Sequence, residues 1–401
     1  VAAVLAGMLA LPLIDRSGPA IDLQRLTSDV APSRVAAYRW DHDYGPLQWP
    51  RRGREVLRVE TTTPSYWKAA VLDGFDGRVW RQAGGVASFE PASDRRMQSS
   101  GWTRRIEVTV RDLKIAQFVG AGETLGIQRN AVSAVAQAGG VFVSDTRELE
   151  RGDSYTATVY TPRPSTRQLQ RAGQNYPSFA RLWLRVDLPG APVARTDASV
   201  PVEAQLAPFG RGDATLISGG GTGGIIPTAD PDQVVRDSSL GRTFALAERL
   251  RRRARTPYEF VRAVEARVRR GATYDETPPE SSAPLQTFLF IDRRGYCQQF
   301  SGAMALLLRM GGVPARVATG FSPGTYDRAR RRYSVSDLDA HSWVEAYFPR
   351  LGWVTFDPTP GASPARDQIA DLATGGRVRP SRRTRGVGDS PADVRGLDGA
   401  G

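Results

Sequence analysis

The pattern of hydrophobic and polar positions divides the chain into a strand-rich first part and a later part with helices. Over residues 52–165, β-branched and aromatic residues recur at every second position, interrupted by Asp-Gly, Gly-Gly and Pro. This period predicts antiparallel strands joined by turns, and therefore a β-rich N-terminal domain. One interruption, Asp-Gly-Phe-Asp-Gly at 73–77, is predicted to be a turn, because its carboxylates are too few for a calcium-binding loop.

The later part shows the spacing of amphipathic helices. Phe260, Val264 and Val268 fall on one helix face with Arg and Glu opposite, and Thr256 followed by Pro257 is typical of a helix start. Two further segments, HSWVEAYF and WVTFDP, alternate as strands on either side of a short turn and predict a hairpin. The chain is therefore predicted to be an α+β protein.

Composition completes the predicted organisation. Residues 217–233 are rich in Gly, and no apolar periodicity remains after residue 364. The predicted segments are a truncated transmembrane helix at 1–14, an extended lead-in at 15–51, the β-rich domain at 52–165, a connecting helix or loop at 166–189, a Gly-rich linker or insertion at 190–236, a second folded domain at 237–365, and a disordered basic tail at 366–401 that leads towards the membrane.

The membrane prediction depends on the apolar, uncharged residues 1–14. About 14 helical residues span about 21 Å, which is less than the roughly 20 residues needed to cross a bilayer. An initial Met and a basic flank, which a signal peptide would carry, are not present. We therefore expect the last part of a transmembrane helix; a short buried helix is the alternative.

The net charge of +12 comes almost entirely from arginine. These arginines are scattered through amphipathic segments, with no ribonucleoprotein motif, zinc-finger spacing or basic strip with interleaved aromatic residues. We therefore predict no nucleic-acid partner.

The chain has one cysteine, Cys297, and two histidines, His42 and His341. One thiol cannot form an intrachain disulfide, and this set is too small for a structural zinc site of about four ligands. There is also no Gly-rich phosphate-binding loop. The sequence predicts neither a metal nor a cofactor.

The position of Cys297 favours a nucleophile. From Phe300 onward, apolar residues recur at helical spacing until Gly311, so Cys297 is predicted to start a helix. Unpaired backbone N–H groups and the positive end of the helix dipole stabilise a thiolate there. The preceding Gly295 would let another chain segment approach closely.

A base for this thiol is predicted about 45 residues later. Folding the hairpin about its turn brings His341 within a couple of positions of Asp357, whose carboxylate could orient the imidazole. Taken singly, a lone Cys is more often a small buried apolar residue, and a lone His a satisfied polar group. Their joint placement favours a Cys, His, Asp site.

Three segments resemble the core motifs of the transglutaminase-like superfamily, which has a papain-like cysteine-protease core. They are RRGYCQQFSGAMALLLRMGGVPARVATGF (293–321), DAHSWVEAYF (339–348) and GWVTFDPTP (352–360). Two earlier segments, at 40–59 and 66–80, are similar to the extracytoplasmic loop of bacterial TgpA-type multi-pass membrane proteins. The resemblance implies a Cys helix packed on an antiparallel sheet that carries His and Asp, preceded by the β-rich domain.

The resemblance also implies roles. Cys297 would be the nucleophile, His341 the general base and acid, and Asp357 the orienting carboxylate in acyl transfer from an amide, with Gln298 and Tyr274 as candidates to assist the oxyanion. Other residues near these motifs are expected to be structural: Arg316, Trp343 and Trp353 as packing residues, Asp339 as part of its motif, and Asp337 and Glu345 as solvated strand positions.

Three functions stay open at this point. The first is an acyltransferase anchored at the outer face of a bacterial membrane, with an exposed Cys297 and a protein or peptide substrate of the cell envelope. The second is a cell-envelope peptidase or amidase that uses the same three residues. The third is an inactive scaffold that binds a peptide or glycan, against which an intact Cys, His and Asp set argues. The sequence does not indicate an oligomeric state.

Overall fold

The computed structural model describes residues 38–82, 101–129, 131–189, 191, 202–209, 211–218 and 224–360. The segments predicted at 1–14 and 366–401 lie outside these residues. Within the described part of the chain, no helix is both long and apolar enough to span a bilayer.

The described part has twenty strands and seven α-helices. The strands are β1 Glu55–Glu60, β2 Trp67–Leu72, β3 Gly74–Phe75, β4 Trp80–Arg81, β5 Thr103–Val110, β6 Gln117–Phe118, β7 Glu123–Gln128, β8 Ala134–Gln137, β9 Val141–Ser144, β10 Ser154–Tyr160, β11 Arg185–Asp187, β12 Val202–Gln205, β13 Thr215–Ser218, β14 Thr273–Tyr274, β15 Arg294–Gly295, β16 Ala315–Phe321, β17 Thr325–Asp327, β18 Arg332–Ser336, β19 Ala340–Phe348 and β20 Gly352–Phe356. The α-helices are α1 Thr166–Gln170, α2 Ser178–Arg181, α3 Pro231–Asp237, α4 Gly241–Arg252, α5 Pro257–Arg269, α6 Pro284–Phe290 and α7 Cys297–Met310, with 3₁₀ turns at Leu182–Leu184 and Asp337–Asp339.

Helix α7 and a four-stranded sheet form the centre of the molecule. The sheet has the order β2-β16-β19-β20, and all of its strands are antiparallel. Every residue of α7 is buried, because the sheet, α4, α5 and α6 all pack around it. An apolar helix enclosed on all sides is a core element rather than an amphipathic surface helix. The predicted fold class, a Cys helix on an antiparallel sheet, is confirmed.

The helix ends agree with their sequence signals. At the start of α5, the Thr256 hydroxyl accepts a hydrogen bond from the backbone N–H of Glu259 at 3.2 Å, and Pro257 occupies the first turn. The strands β19 and β20 form the expected hairpin, in which Val344 pairs with Phe356. The loop between β3 and β4 is a turn that begins at Asp76, whose carboxylate accepts the backbone N–H of Val79 at 2.7 Å.

The two folded parts exchange strands, although the sequence predicts them as consecutive domains. Strand β2 from the first part is an edge of the four-stranded sheet, while β17 and β18 from the second part extend a six-stranded sheet of order β17-β18-β1-β5-β10-β7. Alternation along a strand shows which residues are buried, but not which sheet the strand joins. Each predicted domain therefore contributes at least one strand to the sheet of the other.

The predicted linker also differs from the structure. Within 190–236, strands β12 and β13 pair with each other, β12 pairs with β11, and α3 follows. Phe209 is buried, and its backbone N–H donates to the Gly312 carbonyl at 2.8 Å. A Cβ at Gly312 would lie 2.4 Å from the Ala207 carbonyl oxygen. The high Gly content of this region predicts a linker, but the region contains two short strands that pack against the core.

Candidate active site

Cys297 is the first residue of α7 and is 2 % exposed. Just before it, Gly295 pairs in parallel with Tyr274. A Cβ on Gly295 would lie 2.7 Å from the Gln299 side chain, which accepts the Tyr296 backbone N–H at 3.1 Å. The predicted close approach at Gly295 is observed. The expected exposure of the thiol is not observed, because neighbouring segments enclose the start of the helix.

His341 and Asp357 meet at one end of the β19–β20 hairpin. His341 Nε2 donates to Asp357 Oδ2 at 3.0 Å, and both side chains are buried. The other carboxylate oxygen of Asp357 accepts the Thr359 backbone N–H at 2.9 Å. Since Nε2 is bound to Asp357, the ring nitrogen left to face the Cys297 thiol is Nδ1. The structure thus brings together the Cys, His and Asp that the sequence singles out.

The electrostatics of this pair favour an ion pair. Burial lowers the pKa of His341, but the charge and hydrogen bond of Asp357, together with a hydrogen bond to Cys297, outweigh burial and raise that pKa to about 10. Burial raises the pKa of Asp357, yet the charge of His341 and the surrounding hydrogen bonds hold it well below the ordinary value. An imidazolium next to a thiol is the environment in which cysteine nucleophiles carry a thiolate.

Tyr66 is a site residue that the sequence did not reveal. Its hydroxyl donates to Asp357 Oδ2 at 2.7 Å, and its ring stacks on His341 with centroids 5.8 Å apart. The centre of the same ring lies 4.8 Å from the ring centre of Trp343. Tyr66 precedes β2 and is far from the hairpin in sequence, so no local motif connects it to the site. It positions Asp357 by a hydrogen bond and His341 by ring contact.

Gln298 lies beside Cys297 in the chain and binds the lead-in segment. Its Oε1 accepts the backbone N–H of Tyr44 at 3.2 Å, that of Asp43 at 3.3 Å, and the Tyr296 hydroxyl at 3.0 Å. These bonds hold residues 43–44 over the start of α7. The side chain is therefore a positioning group in this structure, and its role towards an oxyanion stays a prediction.

Tyr274 lies close enough to Cys297 for an electrostatic interaction between the two side chains. Burial, followed by the charges of Cys297 and Glu276, raises the pKa of Tyr274 above its ordinary value. Its hydroxyl donates to Glu276 Oε1 at 3.3 Å. Its role as an oxyanion donor also stays a prediction.

Two carboxylates that were expected to be solvated are buried instead. Asp337 is 2 % exposed and accepts the backbone N–H groups of Arg52 and Gly53 at 2.6 and 2.7 Å. Glu345 is 1 % exposed and accepts from Arg316 Nε at 2.8 Å. The expectation was wrong for Glu345 because β19 is covered on both faces, and for Asp337 because residues 52–54 bind its carboxylate through their backbone. Asp339 has the expected structural role, since it accepts the Ser336 backbone N–H at 2.7 Å.

Glu345 belongs to a buried ionic cluster that joins the two parts of the chain, composed of Lys68, Glu123, Arg316 and Glu345. Lys68 Nζ lies 3.2 Å from each carboxylate, and Arg316 also pairs with both. The Arg316 guanidinium lies 4.0 Å from the ring centre of Trp353. The cluster is neutral overall and links β2 to β16 and β19.

A cavity of about 460 Å³ lies next to the site without touching Cys297 or His341. Tyr66 and Trp343 form part of its wall, and so does Phe356, which immediately precedes Asp357. Residues of both folded parts line it, so the cavity lies at their junction.

A buried cysteine at a helix start, next to a His–Asp pair on an antiparallel sheet, defines the papain-like class of cysteine-enzyme folds. The transglutaminase-like superfamily model matches residues 245–358, and the TgpA N-terminal domain model matches residues 47–166. The chain is therefore similar to the transglutaminase-like superfamily over residues 245–358 and to the TgpA N-terminal domain over residues 47–166.

Two curated proteins are similar to part of the chain. The uncharacterized protein YebA of Bacillus subtilis (strain 168) is 39% identical over 150 residues, which is 35% of this chain and 20% of that protein. A protein-glutamine gamma-glutamyltransferase of Pseudomonas aeruginosa is 39% identical over 127 residues, which is 31% of this chain and 19% of that protein. The matched region spans about a fifth of the length of either relative.

Two crystal structures of the periplasmic domain of TgpA from Pseudomonas aeruginosa share the fold. One aligns with a TM-score of 0.51 and 23% identity over 77% of this chain and 88% of that chain. The ethylmercury-bound form aligns with a TM-score of 0.52 and 22% identity over 80% and 94%.

Proposed function

We propose that the chain is the extracytoplasmic part of a membrane-anchored cysteine acyltransferase of the transglutaminase type. The observation that carries this proposal is the 3.0 Å bond from His341 Nε2 to Asp357, which leaves the opposite ring nitrogen for the thiol of Cys297. The matched superfamily model and the gamma-glutamyltransferase relative support the reaction class. The proposed substrate is a protein or peptide of the cell envelope, and the reacting amide is a Gln side chain.

The proposed reaction has two halves. The Cys297 thiolate attacks the amide carbonyl, and His341 gives its proton to the departing nitrogen, so that ammonia leaves and a thioester forms. An amine then attacks the thioester, His341 takes the proton of that amine, and the thiolate returns. Backbone N–H groups at the start of α7 are placed to stabilise the oxyanion, and Gln298 and Tyr274 are the proposed assisting groups.

Water could replace the amine, which would make the protein a peptidase or amidase of the cell envelope. The burial of the site favours transfer. Cys297 and His341 are only 2 and 3 % exposed, and a site that limits water protects a thioester from hydrolysis. We therefore place the acyltransferase first and the hydrolase second.

The proposed location is the outer side of a bacterial cell membrane. The TgpA N-terminal domain match and the fold shared with a periplasmic domain support it. The apolar residues 1–14 are the proposed membrane contact. A liposome flotation assay of the parent chain and of a chain that lacks residues 1–14 tests this location; equal flotation of both would contradict the anchor.

The reaction is tested first at the thiol. We expect iodoacetamide to alkylate Cys297 of the parent at acidic and neutral pH, and His341→Ala to shift this reaction to alkaline pH. A thiol that reacts only after unfolding would contradict the proposal and favour the scaffold. Incorporation of dansylcadaverine into casein, together with ammonia release without added amine, then separates transfer from hydrolysis. Cys297→Ala is the control for both.

A further inference from the structure

The cavity beside the site follows the edge of the central sheet. Strand β20 is the last strand of the order β2-β16-β19-β20, and among the described residues it pairs only with β19. Four successive residues of β20, from Trp353 to Phe356, line the cavity. Successive strand side chains point to opposite faces, so a cavity that touches all four runs along the strand edge. It therefore adjoins the outer backbone groups of β20.

Part of the cavity wall cannot donate to the carbonyl groups of β20. Pro64, Pro162 and Pro164 are among the lining residues, and proline has no backbone N–H. Their fixed backbone dihedrals also keep the wall stiff. A groove with one strand edge and one proline wall fits a single extended chain segment, which would add to β20 as a fifth strand.

Two arginines give the groove a positive charge. Arg163 lines the cavity and is exposed, and its guanidinium donates to the Pro64 carbonyl. Arg104 lies behind the wall and donates to two lining residues, to Ser65 Oγ at 2.5 Å and to Thr161. Neither arginine pairs with a carboxylate among the residues the structure describes, and the Arg104 Nε is buried without a hydrogen-bond partner there.

The carboxylates next to the groove are already engaged. Asp357 follows Phe356 and is bound to His341, while Glu123 follows Gly122 and belongs to the buried ionic cluster. Burial and the charge of Arg163 lower the pKa of Arg104 to about 10, as expected for two cations without a shared anion. An incoming carboxylate would relieve this repulsion.

We propose that the groove along β20 binds an extended peptide segment that carries an acidic side chain, as a docking site for the part of the substrate that lies away from the reacting amide. The segment pairs with the β20 edge through its backbone and places the carboxylate at Arg163 and Arg104. This inference rests on the proposed function, because it assigns the peptide to the substrate of that site. It gives the N-terminal part of the chain a role in substrate choice.

The test measures fluorescence polarisation of fluorescein-labelled peptides with the full chain carrying Cys297→Ala. The probe is Thr-Val-Glu-Val-Gln-Val-Thr, of about the length of β20, and its partner has Lys in place of Glu. We expect the Glu peptide to bind at least about tenfold more tightly, Arg163→Glu to reverse this preference, and Arg167→Glu to leave it unchanged. Arg167 is the matched control because it is exposed on α1 and does not line the cavity.

Backbone pairing is tested with two versions of the Glu peptide. One is N-methylated on its odd-numbered residues and the other on its even-numbered residues. Since only every second N–H of an added strand faces β20, one methylated peptide should lose binding by at least about tenfold and the other should keep it. Equal binding of all peptides, or no binding of any, would overturn the proposal. So would a parent that sediments as a dimer and an Arg163→Glu variant that sediments as a monomer, because a second copy would then fill the groove.

The two proposals fail separately. Alkylation of Cys297 by iodoacetamide in Arg163→Glu should match the parent, because Arg163 does not touch the thiol. If the thiol is reactive but the chain shows no preference between the peptides, the docking proposal is contradicted and the acyltransferase proposal stands. An inert thiol in the parent removes the acyltransferase, whatever the peptides do.

Discussion

The buried ionic cluster and the His341–Asp357 pair both include a residue of strand β19, yet the two groups differ in how their charges are balanced. In the cluster, two basic side chains and two carboxylates pair with one another. In the pair, one member is an imidazole, which can give or take a proton and which also hydrogen-bonds Cys297. Glu345 and His341 are both on β19.

This difference indicates how one sheet can separate stability from chemistry. A neutral cluster with all its charges paired joins the two parts of the chain and has no free proton to move. The pair near the hairpin end contains an imidazole that hydrogen-bonds Cys297, and so it can act as acid and base. Variants that remove one charge from each group should therefore affect different properties.

The largest effect is expected for Asp357→Asn. The amide keeps the shape, but its one oxygen can accept either from the Thr359 N–H or from Tyr66 and His341, and it no longer stabilises an imidazolium at His341. Transfer activity should fall by about 10⁴-fold, as for the loss of an orienting carboxylate in other triads, while stability should lose only the contribution of the His341–Asp357 ion pair. Dansylcadaverine incorporation and thermal unfolding of the same samples measure activity and stability. A large drop in melting temperature with activity retained would contradict the assignment.

The reverse outcome is expected for Glu345→Gln. It leaves Lys68 and Arg316 buried with Glu123 as their one remaining carboxylate in the cluster, and breaking a buried pair costs about 3–5 kcal/mol. Urea denaturation measures the loss, and activity per folded molecule should stay near that of the parent.

Glu148→Gln is the matched control for Glu345→Gln. Glu148 forms an exposed pair with Lys114 at 3.2 Å, and exposed pairs contribute about 1 kcal/mol or less. If both variants lose the same stability, the cluster does not hold the two parts of the chain together.

A smaller effect is expected for Tyr66→Phe. The change removes the 2.7 Å hydrogen bond to Asp357 and keeps the ring that stacks on His341. A hydrogen bond to a charged group contributes about 1.5–3 kcal/mol, so activity should fall by about 10- to 100-fold. Tyr66→Leu also removes the ring, and comparison of the two variants separates the hydroxyl from the stacking contact. Full activity of Tyr66→Phe would show that the hydroxyl does not position Asp357.

The parts of the site that the sequence predicted are those with local signals. Helical spacing after Phe300 placed Cys297 at a helix start, and a compact turn placed His341 near Asp357. Tyr66 and the strand exchange through β2 depend on contacts between residues far apart in the chain, for which alternation carries no information. Glu345 looked solvated because alternation assumes one open face, whereas β19 is covered on both.

The pH dependence of stability gives the closest comparison of the two groups. The pKa of His341 is raised from 6.5 to about 10, so its contribution is complete below pH 6.5 and is lost as pH rises towards 10. The pKa of Asp357 is lowered from 3.8, so its contribution is present above that value and is lost as pH falls through the lowered pKa. One group changes stability by at most about 1.4 kcal/mol per pH unit.

Urea denaturation from pH 6.5 to 10 should therefore show a decline in the parent that Asp357→Asn lacks, since the variant loses the charge that raises the pKa of His341. Glu345→Gln should retain the decline, because this variant leaves His341 and Asp357 unchanged. Parallel curves for the parent and Asp357→Asn would show that His341 holds no extra proton in the folded chain.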